Sequence, residues 1–373
     1  MVEEKSVERP RGGDPKYTWD DTIAAIGQDF SGGGKLVAQE VIAYNDVVRY
    51  CEPWEIGNPL YWDDKVAKQV GYRGVVVPWS AIKQTFSYGG FWRPGEPTRF
   101  RVQDNLNASF DTPPSPLQAR EIPRPVTTQG FFTDMRIEFF EPVVVGDQLT
   151  KSGNKLVSVR PRKTAVGDGA FTSRESEWHN QRGELVARGA EGGYAYNPTP
   201  PGDREPRPVR KETTVAPPPT TVRTKSPEEF LTQQLYYEDV QVGDAPPPVT
   251  FNLTIQRMVM SAGANRDYTS YHHNTAAGIA SGSPNMFLNN VSTLTLWERV
   301  ISDWIGIHGR VKAVEFRITT FHAAGDVVTT KGQVKKKWQE NGQNLINLEM
   351  SSEHSRGQCM VGSAVIALPS QPR

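Results

Sequence analysis

The feature that most constrains this chain is a repeat. Two stretches run through the same order of signals: a loop, a helix, then a row of strand-like segments punctuated by a Gly-Asp turn, Gly146-Asp147 in one and Gly325-Asp326 in the other. One helix followed by several antiparallel strands buries its apolar surface when the sheet wraps around the helix, and pairing two such units covers what each leaves exposed. The expected class is therefore α+β, two helix-wrapping sheets in one chain. Strand faces show in the alternation of Thr133, Met135, Ile137 and Phe139 with Asp134, Arg136 and Glu138, and again at Val314, Phe316, Ile318 and at Ile346, Leu348, Met350. The second helix is signalled from about Asn289 to Trp304, with Leu294, Trp297, Ile301 and Trp304 on one face and Asn289 or Asn290 as its cap.

The repeat sets the domain expectations. Residues 1–196 form the first unit, opening on an arm from Met1 to about Asp20, with ordered pattern from near Leu36 and an apolar entry and helix over Gly74 to Tyr88. The stretch from Tyr61 to Asp147 is about thirty residues longer than that from His272 to Asp326, which places an insertion at 89–130, dense in Gly and Pro. Residues 197–227, with Ala216-Pro-Pro-Pro-Thr as their stiffest part, read as an extended linker. Residues 228–373 form the second unit. It opens with a strand-like run Val249 to Ile255 and a short helical run to Ala262, and closes with strands at Val311 to Thr320, Val327 to Trp338, Leu345 to Ser352 and Gln358 to Leu368.

Composition narrows the partners. Lys plus Arg and Asp plus Glu number 42 each, so no net field draws the chain to nucleic acid or to an anionic membrane. Two distant cysteines, Cys51 and Cys359, argue against a disulfide scaffold or zinc site and fit a reducing compartment, with the cytoplasm as the default. The charged N-terminus lacks the apolar core of a signal peptide, and no apolar run reaches transmembrane length. No phosphate-loop, dinucleotide or metal-ligand pattern occurs, so neither a cofactor nor a metal is expected.

Chemistry concentrates between Ser261 and Asn274, where Asp267 and His272 stand five positions apart in a polar loop. A carboxylate and an imidazole brought to one point can hold a water, one taking its proton and the other returning one. Spacing alone does not separate this from two ordinary solvent-exposed loop residues. His273 is expected to point the opposite way, and His179, His308, His322 and His354 to be structural or exposed.

The loop, together with Tyr237-Glu-Asp-Val-Gln-Val-Gly-Asp244 and the Gly325-Asp326 turn, resembles the MaoC-like hydratase/dehydratase family, which includes the (R)-specific enoyl-CoA hydratases, in its fused double-hotdog form. The family loop reads Asp, any residue, Asn, Pro, an aliphatic residue, His. Asp267 and His272 match its catalytic positions; Thr269, Ser270 and Tyr271 depart from it. In the first unit Ile56, Gly57, Asn58, Pro59, Leu60 and Tyr61 keep the frame with Ile for the acid and Tyr for the imidazole, so that unit is expected to be catalytically dead.

The resemblance implies two hotdog units, each an antiparallel sheet around a central helix, and reversible hydration of a 2-enoyl-CoA to a (3R)-hydroxyacyl-CoA, with Asp267 and His272 activating water. Backbone N–H groups at the start of the Asn289 helix would polarise the thioester oxygen. Asn289, where the family usually has Gly, Asn290 and Tyr271 are the substrate-binding candidates, and a helix N-cap explains Asn289 equally well. Tyr88, Phe91 and Trp92 in the insertion are candidates for an acyl pocket suited to a long, branched or ring-bearing group. Arg310, Lys312 and Lys335-Lys336-Lys337 are weaker candidates for the phosphates of CoA. A thioesterase on the same fold and a non-catalytic partner subunit are the alternatives, and a homodimer is the expected assembly.

Overall fold

The computed structural model describes residues 12–83, 91–98, 115–164, 166–199 and 224–372. Ten strands form one continuous antiparallel sheet: β1 Lys35–Val37, β2 Gln129–Phe139, β3 Thr150–Thr164, β4 Gly167–His179, β5 Leu185–Pro198, β6 Val249–Asn252, β7 Arg310–Ile318, β8 Val327–Glu340, β9 Gln343–His354 and β10 Gly357–Leu368. Their order across the sheet is β1-β3-β4-β5-β2-β7-β10-β9-β8-β6. Outward from the centre, one half reads 2, 5, 4, 3, 1 and the other 7, 10, 9, 8, 6, so the repeat in the sequence is a repeat in topology with the two units back to back.

The seam between the units is the pair β2–β7. Met135 lies opposite Phe316 and Ile137 opposite Val314, all buried, while Asp134 faces Arg317 and Arg136 faces Glu315 on the other side. The period-two alternation in each strand puts apolar residues on the inner face and opposite charges across from one another on the outer, both favourable as cross-strand neighbours. A single apolar core runs through both units, from Val47, Trp54 and Trp178 to Leu294, Trp297 and Ile346.

Seven short or medium helices accompany the sheet among the described residues: α1 Trp19–Ala24, α2 Tyr44–Cys51, α3 Asp64–Gln69, α4 Pro227–Thr232, α5 Ile255–Asn265, α6 Thr275–Ala280 and α7 Asn290–Ile305. None is long and apolar enough to cross a membrane. α7 is the central helix of the second unit, and it is buried nearly all round rather than along one stripe: Val291 through Ser302 are all buried, Glu298 and Arg299 included. Trp297 is fully buried and Trp304 packs partly buried against the core. In the first unit the corresponding position holds a single 3₁₀ turn, Trp79–Ala81; the rest of the helix expected up to Tyr88 falls on residues 84–90, outside the described residues.

The Gly-Asp turns are built alike. Gly146 and Gly325 both have φ of 92°, a left-handed conformation that glycine adopts without steric cost. Asp147 accepts the Val144 N–H and is held by Arg73 and Arg182; Asp326 accepts the Ala323 N–H and is held by both terminal nitrogens of Arg356. The arginines hold Asp147 below the usual carboxylate range, against the opposing effect of burial.

Two expectations need correction. Order begins before Leu36: α1 starts at Trp19 inside the expected arm, its capping box closed by Thr18 and Asp21, and Ala25 and Phe30 pack on Leu156 and Val159 of β3. The strand expected over Val249 to Ile255 stops at Asn252, because the Thr254 side chain accepts the Arg257 N–H and caps α5, which takes Ile255 as its first residue. The Pro-rich part of the linker, from 200 to 223, lies outside the described residues.

Candidate active site

The loop after α5 places the acid. Arg266, in the left-handed region at φ 54°, ends the helix, and the Asp267 N–H turns back to the Ala262 carbonyl at 3.1 Å. Thr269 then fixes the carboxylate: its hydroxyl donates to Asp267 Oδ1 at 2.8 Å. The departure from the family's Asn at this position therefore leaves a donor on the acid. A 3₁₀ turn, Ser270–His272, swings the imidazole round to face it, with Oδ2 of Asp267 and Nε2 of His272 3.6 Å apart.

The protonation of that imidazole follows from its other nitrogen. Nδ1 of His272 lies 2.7 Å from the Phe287 carbonyl oxygen, which can only accept, so Nδ1 carries the hydrogen and Nε2 presents a lone pair. Two acceptors then face each other across a gap too long for a direct hydrogen bond. A water molecule donating to both suits that geometry. Burial lowers the His272 pKa, and the Asp267 charge opposes the shift without cancelling it.

Aromatic packing holds the loop. Tyr271 stacks on Phe287 with ring centroids 4.8 Å apart and meets His272 edge-on at 4.5 Å. Tyr271 thus forms the wall beside the imidazole. His273 turns away, exposed, with Nε2 3.0 Å from the Tyr268 carbonyl oxygen.

Leu288 N–H donates to the His322 carbonyl, and α7 begins two residues later. Asn289 is its N-cap: Oδ1 accepts the Ser292 N–H at 2.8 Å and the Asn265 side-chain amide at 3.2 Å. Its own Nδ2 is buried with no partner among the described residues. Asn289 is therefore a cap that keeps a donor in reserve at a helix start, where the first backbone N–H groups have no partner inside the helix. Asn290, the first helical residue, accepts from Lys83 Nζ at 3.1 Å.

The insertion reaches the same loop. The Phe91 ring lies 3.5 Å from the guanidinium carbon of Arg266, next to Asp267, and remains 41% exposed. Trp92 is half exposed and its indole donates to Glu96 within the insertion, so it packs on its own segment. Tyr88 lies outside the described residues.

The first unit's counterpart is filled by the chain itself. Asn58 caps the turn Pro59–Tyr61, and the Tyr61 hydroxyl donates to Oε1 of Glu298 at 2.6 Å. The other oxygen, Oε2, accepts the Ser80 N–H at 2.8 Å, at the start of the 3₁₀ turn that stands where α7 stands in the second unit. Ser80 also bonds Tyr50, which bonds Thr295 of α7. Burial pushes the Glu298 pKa up to about 7, with the Ser80 and Tyr61 hydrogen bonds pulling the other way. Glu52, Glu55, Asp63 and Asp64 all face solvent. His322 and His354 are buried, and burial brings the His322 pKa down to about 3.

Lys83 and Glu298 escaped the sequence reading. Both are charges in an apolar context, Lys83 closing the run from Val75 to Ile82 and Glu298, with Arg299 beside it, lying between Trp297 and Val300. That pattern is the signal a search for buried charge would use. Among the described residues no group of three His, Cys, Asp or Glu side chains is placed to hold a metal ion.

Residues 110–188 match the model of the FAS1-like dehydratase domain region. Over 77 residues the chain is 32% identical to the 3-oxo-4,17-pregnadiene-20-carboxyl-CoA hydratase beta subunit of Mycobacterium tuberculosis, covering 21% of this chain and 60% of that protein. The chain thus spans less than two thirds of that relative's length. Among solved structures, a MaoC-like dehydratase superposes with a TM-score of 0.63 at 18% identity, over 94% of this chain and all of the other. A conserved hypothetical protein of Mycobacterium tuberculosis with a double hotdog fold superposes with a TM-score of 0.54 at 13% identity, over 95% of this chain and 98% of that one. Two units of matching strand order joined back to back in one sheet are this double hotdog fold, and in sequence the chain is similar to the FAS1-like dehydratase region and to the hydratase beta subunit.

Proposed function

We propose that the chain hydrates 2-enoyl-CoA thioesters, or dehydrates (3R)-hydroxyacyl-CoA thioesters, at the loop of the second unit. The observation that carries this is the pair of facing acceptors, Asp267 Oδ2 and His272 Nε2 at 3.6 Å, with the imidazole tautomer fixed by the Phe287 carbonyl. A water held between them loses a proton to the pair as its oxygen bonds to C3. The electrons of the C2–C3 double bond move onto the thioester oxygen, and the proton is returned to C2. Negative charge on that oxygen would be met by the N–H groups opening α7 and by the spare Nδ2 of Asn289.

The same reading extends to the acyl group. In the first unit, the described residues opposite α7 form only the turn Trp79–Ala81, and Phe91 of the insertion lies over Arg266 beside the acid. One relative is named as the beta subunit of a 3-oxo-4,17-pregnadiene-20-carboxyl-CoA hydratase, a name that specifies a ring-bearing acyl group. We therefore expect a long, branched or cyclic enoyl group to be preferred. That relative is named as a subunit, so assembly of this chain, with a second copy or with another chain, belongs to the proposal too.

An assay over a panel of enoyl-CoAs tests it, following loss of the conjugated-thioester absorbance and release of free thiol. Hydration without thiol release is expected. Thiol release identifies a thioesterase, and no change with any substrate a non-catalytic subunit. A higher kcat/KM for crotonyl-CoA than for a long-chain or cyclic enoyl-CoA would sink the large-pocket expectation while leaving the hydratase reading in place.

A further inference from the structure

Lys83 is a buried cation that stability alone does not explain. Its side chain is 7% exposed, and its Nζ donates to Oε1 of Glu191 at 2.7 Å and to Oδ1 of Asn290 at 3.1 Å, 4.1 Å from the centre of the Phe132 ring. Glu191 is already paired through Oε2 with Lys151 at 2.8 Å, and that lysine lies over the Trp178 ring. Two ammonium groups share the carboxylate of Glu191, and one of them, Lys83, is almost fully buried. Burying such a charge is costly, and a cation at the amino end of a helix is further opposed by the helix dipole. Burial pushes the Lys83 pKa down; Glu191 pulls it back, and so does the charge of Asp267 across the domain boundary.

The placement has a direction. The segment that carries Ser80 and Lys83 runs antiparallel to α7, with Ser80 at Glu298 and Lys83 at Asn290. The Lys83 ammonium of the first unit therefore sits at the opening of α7 and within electrostatic reach of Asp267.

Building on the hydratase reading, we infer that Lys83 is a positioning residue lent by the first unit to the second unit's site. It holds the Asn290 side chain at the helix opening and sets a fixed positive charge where the thioester oxygen gathers negative charge. The first unit then contributes electrostatics to the reaction as well as a binding wall.

The test uses the full chain with Lys83→Met and Lys83→Arg, and two readouts. Methionine keeps most of the unbranched stem and leaves Glu191 paired with Lys151, so the fold is expected to survive, as circular dichroism would verify. The first readout is kcat and KM for the best enoyl-CoA. The second is the enolate absorbance of bound acetoacetyl-CoA, which reports stabilisation of the same oxygen without any water addition. Lys83→Met is expected to lower both kcat and the bound enolate fraction by about ten- to a hundredfold, less than the roughly hundred- to thousandfold that follows loss of a direct oxyanion donor because Lys83 acts from behind Asn290, while KM stays within about threefold. Lys83→Arg is expected to recover most of both. Wild-type levels of turnover and enolate in Lys83→Met would overturn the inference and leave the hydratase reading standing. If the wild-type chain enriches the enolate in a Lys83-dependent way yet hydrates nothing, the hydratase reading falls and the role of Lys83 stands. A wild-type chain that does not enrich the enolate at all overturns the inference as well.

Discussion

The two units share a frame and differ in what occupies it. In the first, Tyr61 and the Ser80 N–H converge on the carboxylate of Glu298, a residue of the other unit's helix. In the second, His272 faces Asp267 from 3.6 Å, and the Nδ2 donor of Asn289 has no partner among the described residues. A site whose donors are satisfied from within has nothing left to offer a ligand, whereas unmatched acceptors and a spare buried donor cost stability unless something binds there. The comparison teaches that the first unit differs from the second by more than the two residues at the Asp267 and His272 positions. Its polar groups were drawn into the interface with α7, where they became part of what holds the units together.

The largest effect expected from breaking this asymmetry is on turnover. Asp267→Asn and His272→Ala should each lower kcat by roughly a hundred- to ten-thousandfold, the range typical of general acid-base groups, with little change in the unfolding midpoint. Steady-state kinetics on the best enoyl-CoA checks this. Near-normal turnover in either variant would mean that the chemistry lies elsewhere.

The next effect belongs to the plugged site and is read in stability. Glu298 has a folded-state pKa of about 7, above the ordinary 4.5, so between those values the native state holds a proton that the unfolded chain has released. Stability contributed by this group is full below pH 4.5 and is lost as pH rises to about 7. The full loss is about 3 kcal/mol, from roughly 1.4 kcal/mol per pH unit. Urea unfolding at pH 5 and pH 7.5 should show most of that fall in the wild type and much less of it in Glu298→Gln, whose amide oxygen can still accept from Ser80. An unchanged pH dependence in the variant would show that Glu298 is not the group responsible.

A smaller effect sharpens the distinction from the other side. Tyr61→Phe removes one donor to a buried carboxylate, which should cost about 1–3 kcal/mol of stability at pH 7.5 while the water-addition step continues largely intact. Unfolding and turnover are measured on the same preparation. A collapse of kcat with unchanged substrate binding would show that the first unit still takes part in the chemistry through Tyr61.

How much of this could be read from the residues depends on the range of the signal. Period-two alternation identified β2 and β7 and their buried faces, because the face of a strand is a local property. It could not show that Met135 lies opposite Phe316, since neighbour choice and register are fixed by partners far away in the chain. The Asn289 cap and the extent of α7 were legible because capping is decided within one turn; the capping pair Thr18 and Asp21 was equally local and went unread because the charged N-terminal context suggested an arm. Asp267 and His272 stood out through the loop they share, and that loop brings their side chains face to face. Glu298 and Lys83 were not, since each acts across more than two hundred positions of sequence and only the packing of one unit on the other brings them to their partners.

The smallest effect expected is a shift within the working site. Burial lowers the His272 pKa below its ordinary value of 6.5 while the Asp267 carboxylate partly restores it. His272 is thus neutral at pH 7, and kcat/KM should stay level as pH falls through 6.5 and decline only below it, as the imidazole gains a proton and Nε2 loses its lone pair. The same depressed pKa makes the native state bind fewer protons than the unfolded chain just below pH 6.5, so the group's contribution to stability is also lost on the acid side. In Asp267→Asn the restoring charge is gone and burial acts unopposed, which should move the titration to still lower pH. Turnover in that variant is too low for a rate profile, so the measurement is an NMR titration of the His272 ring proton in both forms. A titration at or above 6.5 in the wild type, or an upward shift in Asp267→Asn, would be incompatible with a buried neutral imidazole facing a carboxylate, and with the acceptor pair on which the contrast between the two units depends.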